Sequence, residues 1–366
     1  MAFDADLLLA GPRGRRLCLE YARACALDAD TDEGRDASTA VFWAAHALTD
    51  PADRGVVLTI GEDGAETASA AFEPPAVTVD GAADALRSMP LLPPTPQRLR
   101  DALQASVDRA MYWQPPDGED LLAALPSVRE ALGPAAALIA ASQAAAWWAT
   151  GVEITGQWTL PWEGGARPAD DLDAALAAWH RDTLDEARAA RERPADPTAN
   201  WSGIWWSIPP HGLVRTTRAL GADGPARLWF EEDSFRDDAA FAVPVDGHPA
   251  RVIEITGPDD WAALCRQHPL DVSAARRHDW YRVTGRVGSW VIPDWRSVAA
   301  EADAVHLTVL GYLTAATRPI DVDGERATVL AGWNPDETFW FRGTLARPAD
   351  EQRWVRADEG WVRVAP

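Results

Sequence analysis

The pattern of this chain changes once, near residue 194. Before that point apolar residues recur at helical spacing in stretch after stretch. After it, short runs rich in β-branched and aromatic residues are separated by Gly, Pro, Asn and Asp. The segment between, RPADPTAN from Arg193 to Asn200, carries two prolines and ends any helix that reaches it. Helices first and strands afterwards predict an α+β fold: a helical N-terminal part followed by a mainly antiparallel, β-rich C-terminal part with short helices. With 366 residues there is room for two domains. We expect a mainly helical one over 1–193, with a small β-hairpin near 55–79, and a Trp-rich α+β one over 200–366 that carries the catalytic or ligand-binding site.

Helices are expected over Arg13–Leu27, Ala37–Leu48, Pro96–Trp113, Gly118–Leu132 with a break near Pro126, and Pro134–Ala149. Prolines at first turns fit, because an N–H is missing there at no cost. The best-defined helix runs from Asp170 to Arg193. Asp170, Asp171 and Asp173 open it and Arg188, Arg191 and Arg193 close it, so both ends complement the helix dipole. In the second part, strands are expected over Gly203–Ile208, Gly212–Arg218, Ala226–Glu231, Phe241–Val245, Arg251–Thr256, Val305–Leu310, Thr328–Trp333 and Thr338–Arg342. Helices are expected over Pro258–Gln267 and Asp294–Ala302.

Charge and composition remove several functions. The 56 acidic residues outnumber the 34 basic ones, a net charge of −22. That balance excludes a broad basic face for nucleic acid and disfavours an anionic membrane surface. All of the basic residues are Arg; the chain has no Lys. It therefore holds no lysine for a pyridoxal phosphate Schiff base, a P-loop or a kinase-type site. The stretch from Ala131 to Val152 is uncharged but dominated by alanine, which fits a buried helix better than a membrane span. Cys18, Cys25 and Cys265 form no CxxC pair, and the acidic N-terminus is unlike a secretory signal; both point to a cytoplasmic protein.

Polar and aromatic residues cluster in the second part, which also holds twelve of the nineteen tryptophans. In a strand GLVRTTR, Arg215 and Arg218 point to opposite faces, and either offers a guanidinium fork to a phosphate or carboxylate. The triplet Glu231, Glu232 and Asp233 crowds carboxylates, although strand alternation separates neighbours. HPLDVSAARRHDWYR, from His268 to Arg282, and the later His306 supply imidazoles for proton transfer near neutral pH, His278 and His306 foremost. Glu337 enters an aromatic strand beside Trp333 and Trp340, where partial desolvation would sharpen its field. Each feature also has a plainer reading: a solvated strand face, an acidic turn, a hydrogen-bonded core histidine, or Trp as core.

The order of GLVRTTR, then HDWYR, then the glutamate of DETFWF resembles ADP-ribosyltransferase-like domains. The resemblance implies NAD as substrate. Arg215 or Arg218 would hold its pyrophosphate, Tyr281 would stack on nicotinamide with Trp333 near by, and Glu337 would stabilise the oxocarbenium-like ribose. The Ser-Thr-Ser motif of that superfamily has no counterpart beyond Ser207 and Ser234. The expected partners are a small-molecule nucleotide or a protein acceptor. Two other functions fit the same residues. One is a non-catalytic protein with a Trp-rich recognition face for a partner chain or small ligand. The other is a metal-dependent hydrolase using His268 or His278, Asp279 and His306. Because their spacing matches neither HExxH nor an HxD strand pair, no resident metal is expected.

Overall fold

Helix starts follow residues whose side chains accept a hydrogen bond from the free N–H groups of a first turn. The computed structural model describes residues 3–51, 58–60, 66–68, 75–160, 169, 171–233, 238–248, 250–343, 345–347, 349–357 and 360–364. Helices α1 (Ala5–Ala10), α2 (Pro12–Ala29), α3 (Asp32–Leu48) and α4 (Val79–Ser88) are followed by α5 (Pro96–Val107), α6 (Gly118–Ala124), α7 (Pro126–Ala131) and α8 (Gly133–Ala141). Asp4, Thr31, Thr78, Thr95 and Asp117 cap α1, α3, α4, α5 and α6. Between α3 and α4, β1 (Leu58–Ile60) and β2 (Glu66–Ala68) pair antiparallel within the expected hairpin. Positions 55–57, 61–65 and 69–74 of that hairpin lie outside the described residues. The long helix is α9 (Leu172–Ala189), capped by Asp171 and extended by a tight turn to Glu192.

The fold is α+β, as the change of pattern predicts. After β3 (Gln157–Thr159) come β4 (Val214–Arg218), β5 (Ala239–Val245), β6 (Val252–Ile255), β7 (Pro269–Asp271), β8 (Ser289–Pro293) and β9 (Ala304–Leu307). The last strands are β10 (Ile320–Asp321), β11 (Arg326–Thr328), β12 (Glu337–Trp340), β13 (Gln352–Ala357) and β14 (Gly360–Arg363). Four helices are interspersed: α10 (Pro258–Gln267), α11 (Ser273–Thr284), α12 (Trp295–Glu301) and α13 (Val309–Ala315). The large sheet has the order β14-β13-β5-β3-β4-β12-β9-β6, and the small one β10-β11-β8-β7. Pairing is antiparallel except for β6 with β9 and β11 with β8.

Four expected strands are replaced or cut short, each for a local reason. Thr328–Trp333 is strand only at Thr328, because Ser207 takes both the N–H and the carbonyl of Ala331. Gly203–Ile208 is irregular, because indole N–H groups claim carbonyls that a ladder would use: Trp280 donates to Trp205 at 2.7 Å and Trp295 to Ser207 at 3.1 Å. Ala226–Glu231 begins as a 3-10 turn, in which Leu228 N–H donates to Pro225. Val305–Leu310 is cut at Thr308, whose hydroxyl caps α13 by accepting from Gly311. Helix α11 has no strand or helix expectation of its own. Its charged residues are turned inward, so it shows no apolar stripe.

The expected division at 193/200 is not a division of the fold. Strand β3, from the first half, lies between β4 and β5 of the second. One apolar core runs from Leu8 to Trp361. At Gly11 the N-terminal helices approach α13 so closely that a Cβ would lie 2.2 Å from the Leu313 carbonyl oxygen. The segment expected to be a linker is strapped down by α11. Arg277 Nη2 donates to the Ala190 and Arg193 carbonyls at 2.8 and 3.0 Å, and Arg282 Nη2 to that of Trp201 at 2.6 Å. Asp279 accepts from Gly203 N–H at 3.0 Å. Among the described residues no single helix is long and apolar enough to cross a membrane.

Two outcomes follow. Residues 200–366 expressed alone, lacking β3 and the α1–α2 face of the core, should show no cooperative thermal unfolding by circular dichroism. In the full chain, Gly11→Ala should lower stability by about 2 kcal/mol or more, measured by urea denaturation, because the colliding atom belongs to backbone.

Candidate functional site

Alternation along β4 deals its side chains to two faces of the sheet, and two charged networks result. On one face Arg215 and Thr217 stand opposite Phe339 and Glu337 of the neighbouring β12. Arg215 Nη1 lies 3.6 Å from Glu337 Oε1. Arg215 and Glu337 are therefore neighbours across β4 and β12. Arg227 Nε, at 3.5 Å, and Asn334 Nδ2, at 3.4 Å, converge on the same Oε1. Glu337 Oε2 is buried and has no hydrogen-bond partner. Trp333, buried against Trp261, Trp295 and Phe339, donates its indole N–H to the Glu337 carbonyl at 3.1 Å and so holds the strand entrance.

Arg215 is bonded unlike the buried arginines around it. Its side chain is 21% exposed, and its guanidinium lies 5.6 Å from the Phe339 ring. Among the described residues it donates no hydrogen bond; the loose ion pair to Glu337 is its polar contact. Burial, then the neighbouring Arg227, push it down to about 10. Arg227 is satisfied by Glu231, at 2.6 Å from Nη2. His211, four residues before Arg215 and exposed, stands edge-on to Trp206 at 5.4 Å between centroids. Desolvation of the ring by its neighbours, and then the Arg215 charge, lower its pKa. From outside inward the site runs from His211 and Trp206, past Arg215, to Glu337.

On the other face Arg218 is fully engaged. Its Nε donates to Asp336 Oδ1 at 2.6 Å, and Nη1 and Nη2 reach Thr150 Oγ1 and the Gly151 carbonyl, both at 3.3 Å. The guanidinium lies 4.7 Å from the Trp147 ring and borders a cavity of about 400 Å³ that also meets Trp148, Phe230, Arg100 and Glu153. Behind it, His306 Nδ1 lies 2.6 Å from Glu254 Oε2, and Nε2 lies 3.5 Å from Asp336 Oδ1. Burial alone would lower the His306 pKa, but hydrogen bonds to Asp336 and Glu254 outweigh it and raise it. His306 is thus an ion-paired core histidine on the face away from Glu337.

The remaining expected residues lie elsewhere. His278 and Tyr281 belong to α11, which packs on β8 and α9 rather than on β4 or β12. His278 Nε2 lies 3.1 Å from the Pro194 carbonyl oxygen and helps hold the strap. His268 Nδ1 lies 2.8 Å from Ser297 Oγ, and Asp279 engages Arg282 at 2.8 Å. These groups and His306 have separate partners, and no three His, Cys, Asp or Glu among the described residues assemble for a metal. The acidic triplet diverges. Glu231 pairs with Arg227, Asp233 is exposed, and Glu232 is buried, accepting from Tyr112 at 2.7 Å. Burial pushes Glu232 up to about 8.

The sequence reading misses His211, Arg227 and Asn334. His211 precedes Arg215 in HGLVR, and the tight turn at Asp336, with φ of 60°, brings Asn334 back over its own strand. Comparison with protein-family models, curated proteins and solved structures finds no match to this chain.

The raised pKa of Glu232 fixes a sign. Between the ordinary carboxyl value and about 8, native Glu232 keeps a proton that the unfolded chain has released, so its contribution to stability is lost as pH rises through that window. The neutral variant Glu232→Gln lacks this loss. Its melting temperature relative to the wild type should climb by about 4 °C or more between pH 5 and pH 9 in scanning calorimetry. A difference independent of pH would show that the buried carboxyl is already ionised.

Proposed function

We propose that this protein is an NAD-consuming transferase of the ADP-ribosyl-transferring kind, centred on Arg215 and Glu337. The observation that carries the reading is their pairing across β4 and β12, with the Arg215 donors and Glu337 Oε2 both lacking hydrogen-bond partners among the described residues. A guanidinium left in this state gains from a ligand that brings oxygen acceptors, and a pyrophosphate offers a bidentate match. The order of arginine strand, aromatic segment and late glutamate supports the same assignment.

In this mechanism Arg215 exchanges its loose contact with Glu337 for the pyrophosphate. Glu337 then faces the ribose with Arg227 and Asn334 still steadying its Oε1. As the bond between ribose C1 and the nicotinamide nitrogen breaks, its electron pair leaves with nicotinamide and positive charge develops on the ribose. The Glu337 carboxylate stabilises that charge in surroundings that exclude water, where its field is strongest. The acceptor nucleophile bonds to C1 and gives its proton to His211, the exposed imidazole four residues before Arg215. Trp206, beside His211, takes the stacking role expected of Tyr281. Use of NAD, and three cysteines that are buried and unpaired, fit a cytoplasmic protein.

A second reading, a non-catalytic ligand-binding protein, draws on the cavity where Arg218 stacks on Trp147. Nicotinamide release separates the two. The wild type should liberate nicotinamide from NAD, and Glu337→Gln, which preserves shape, should lower kcat at least 100-fold with an unchanged melting temperature. Arg215→Ala should raise KM about tenfold. No release by the wild type, or full turnover by Glu337→Gln, overturns the transferase reading; saturable NAD binding without release favours the second.

A further inference from the structure

A groove of about 730 Å³ lies away from Glu337, between α5 and the β13–β14 hairpin. Gln97, Arg100, Asp101 and Gln104 fall at i, i+3, i+4 and i+7 of α5, so one helical face lines it. Across from them stand Arg356 and Trp361, with Trp229 between. The volume is that of a small-ligand site.

The two arginines here differ in how they are bonded. Arg100 lies flat on Trp229, 3.8 Å from the ring centroid, and its charge is matched by Asp223 at 2.7 Å and Asp101 at 3.1 Å. Arg356 lies 5.2 Å from the Trp361 ring, its Nε is buried with no hydrogen-bond partner, and no carboxylate among the described residues pairs with it. Leaving a guanidinium N–H buried and unbonded is unfavourable, and a ligand oxygen would relieve it. The side-chain amides of Gln97 and Gln104 make no hydrogen bond among the described residues and border the same space. The cavity thus combines a guanidinium and two amides that have no partner among the described residues, with a carboxylate and indole edges.

We propose that this groove binds a sugar phosphate. The phosphate sits on Arg356, with Arg100 flanking it. The sugar hydroxyls meet Gln97, Gln104 and Asp101, and the apolar side of the sugar ring rests on the indole edges. Asp101 accepts from hydroxyls but repels a polyanion, and the net charge of −22 acts in the same sense. A single phosphate on a polyol therefore fits better than a nucleic acid strand.

The test is calorimetric titration of the full chain with ribose 5-phosphate, with ribose and inorganic phosphate as separate arms. Ribose 5-phosphate should bind saturably and more tightly than either fragment. Arg356→Ala should weaken it about tenfold or more. Gln97→Ala, at an exposed helix position where folding is not in question, should weaken it about threefold or more. Glu337→Gln should bind it as the wild type does, which keeps this site separate from the transferase centre. No saturable binding overturns the proposal. So does equal affinity for inorganic phosphate, or affinity unchanged in both Arg356→Ala and Gln97→Ala.

Discussion

A guanidinium enters a protein interior at low cost only if its N–H groups find acceptors and its charge a counter-charge, and Arg13, Arg16, Arg218 and Arg227, all buried, meet that condition. Arg16 is surrounded by Glu20, Asp117, Glu119 and Asp120, joining α2 to α6. Arg13 pairs with Asp120 and also donates to the Ser106 carbonyl at 2.9 Å and to Thr317 at 3.2 Å, so one side chain connects α2, the end of α5 and the turn after α13. Arg276 meets Glu186 at 3.0 Å and ties α11 to α9. A lysine ammonium, with its donors at one point, could not reach three elements in this way. The continuity between the two halves depends on these forks as much as on apolar contact.

Arg215 differs from the four arginines that meet this condition. It stands on the same strand as the fully engaged Arg218, yet its donors have no hydrogen-bond acceptor among the described residues. Strand alternation explains how two arginines three residues apart acquire different roles. One faces Asp336 and the His306–Glu254 pair and is locked. The other faces Glu337 at a distance too long for a good hydrogen bond and stays available. Position on the sheet, not residue type, separates the locked cation from the loosely paired one here. The same contrast, Arg100 compensated and Arg356 not, recurs in the groove beside α5.

Much of this was legible in the residues. Caps and first-turn prolines act through bonds within one turn, so α10 emerges as its spacing places it, whereas α3 starts at Asp32 rather than Ala37, behind its cap Thr31, and α5 ends at Val107 rather than Trp113. The convergence of Arg215 with Glu337 was likewise visible as an order of charged and aromatic strands, although not as a pairing. Where the reading fails, a distant group competes with the local pattern. Trp280 and Trp295 take the carbonyls of 203–208 from across the chain. The arginines and histidine of α11, which resemble a catalytic cluster, are spent on holding the segment from Ala190 to Trp201. Tyr281 goes with them.

By itself, then, the amino-acid order determined what short-range forces decide: where helices start and stop, the α+β class, the absence of lysine chemistry, and which residue types were on hand for an anion. Tertiary structure alone decided that β3 crosses into the sheet of the other half, that His211 and Asn334 join Arg215 and Glu337, and that His306 and His278 serve as internal fasteners. The reason is that burial and charge pairing are set by neighbours scores of residues away, and no local pattern records which neighbour arrives.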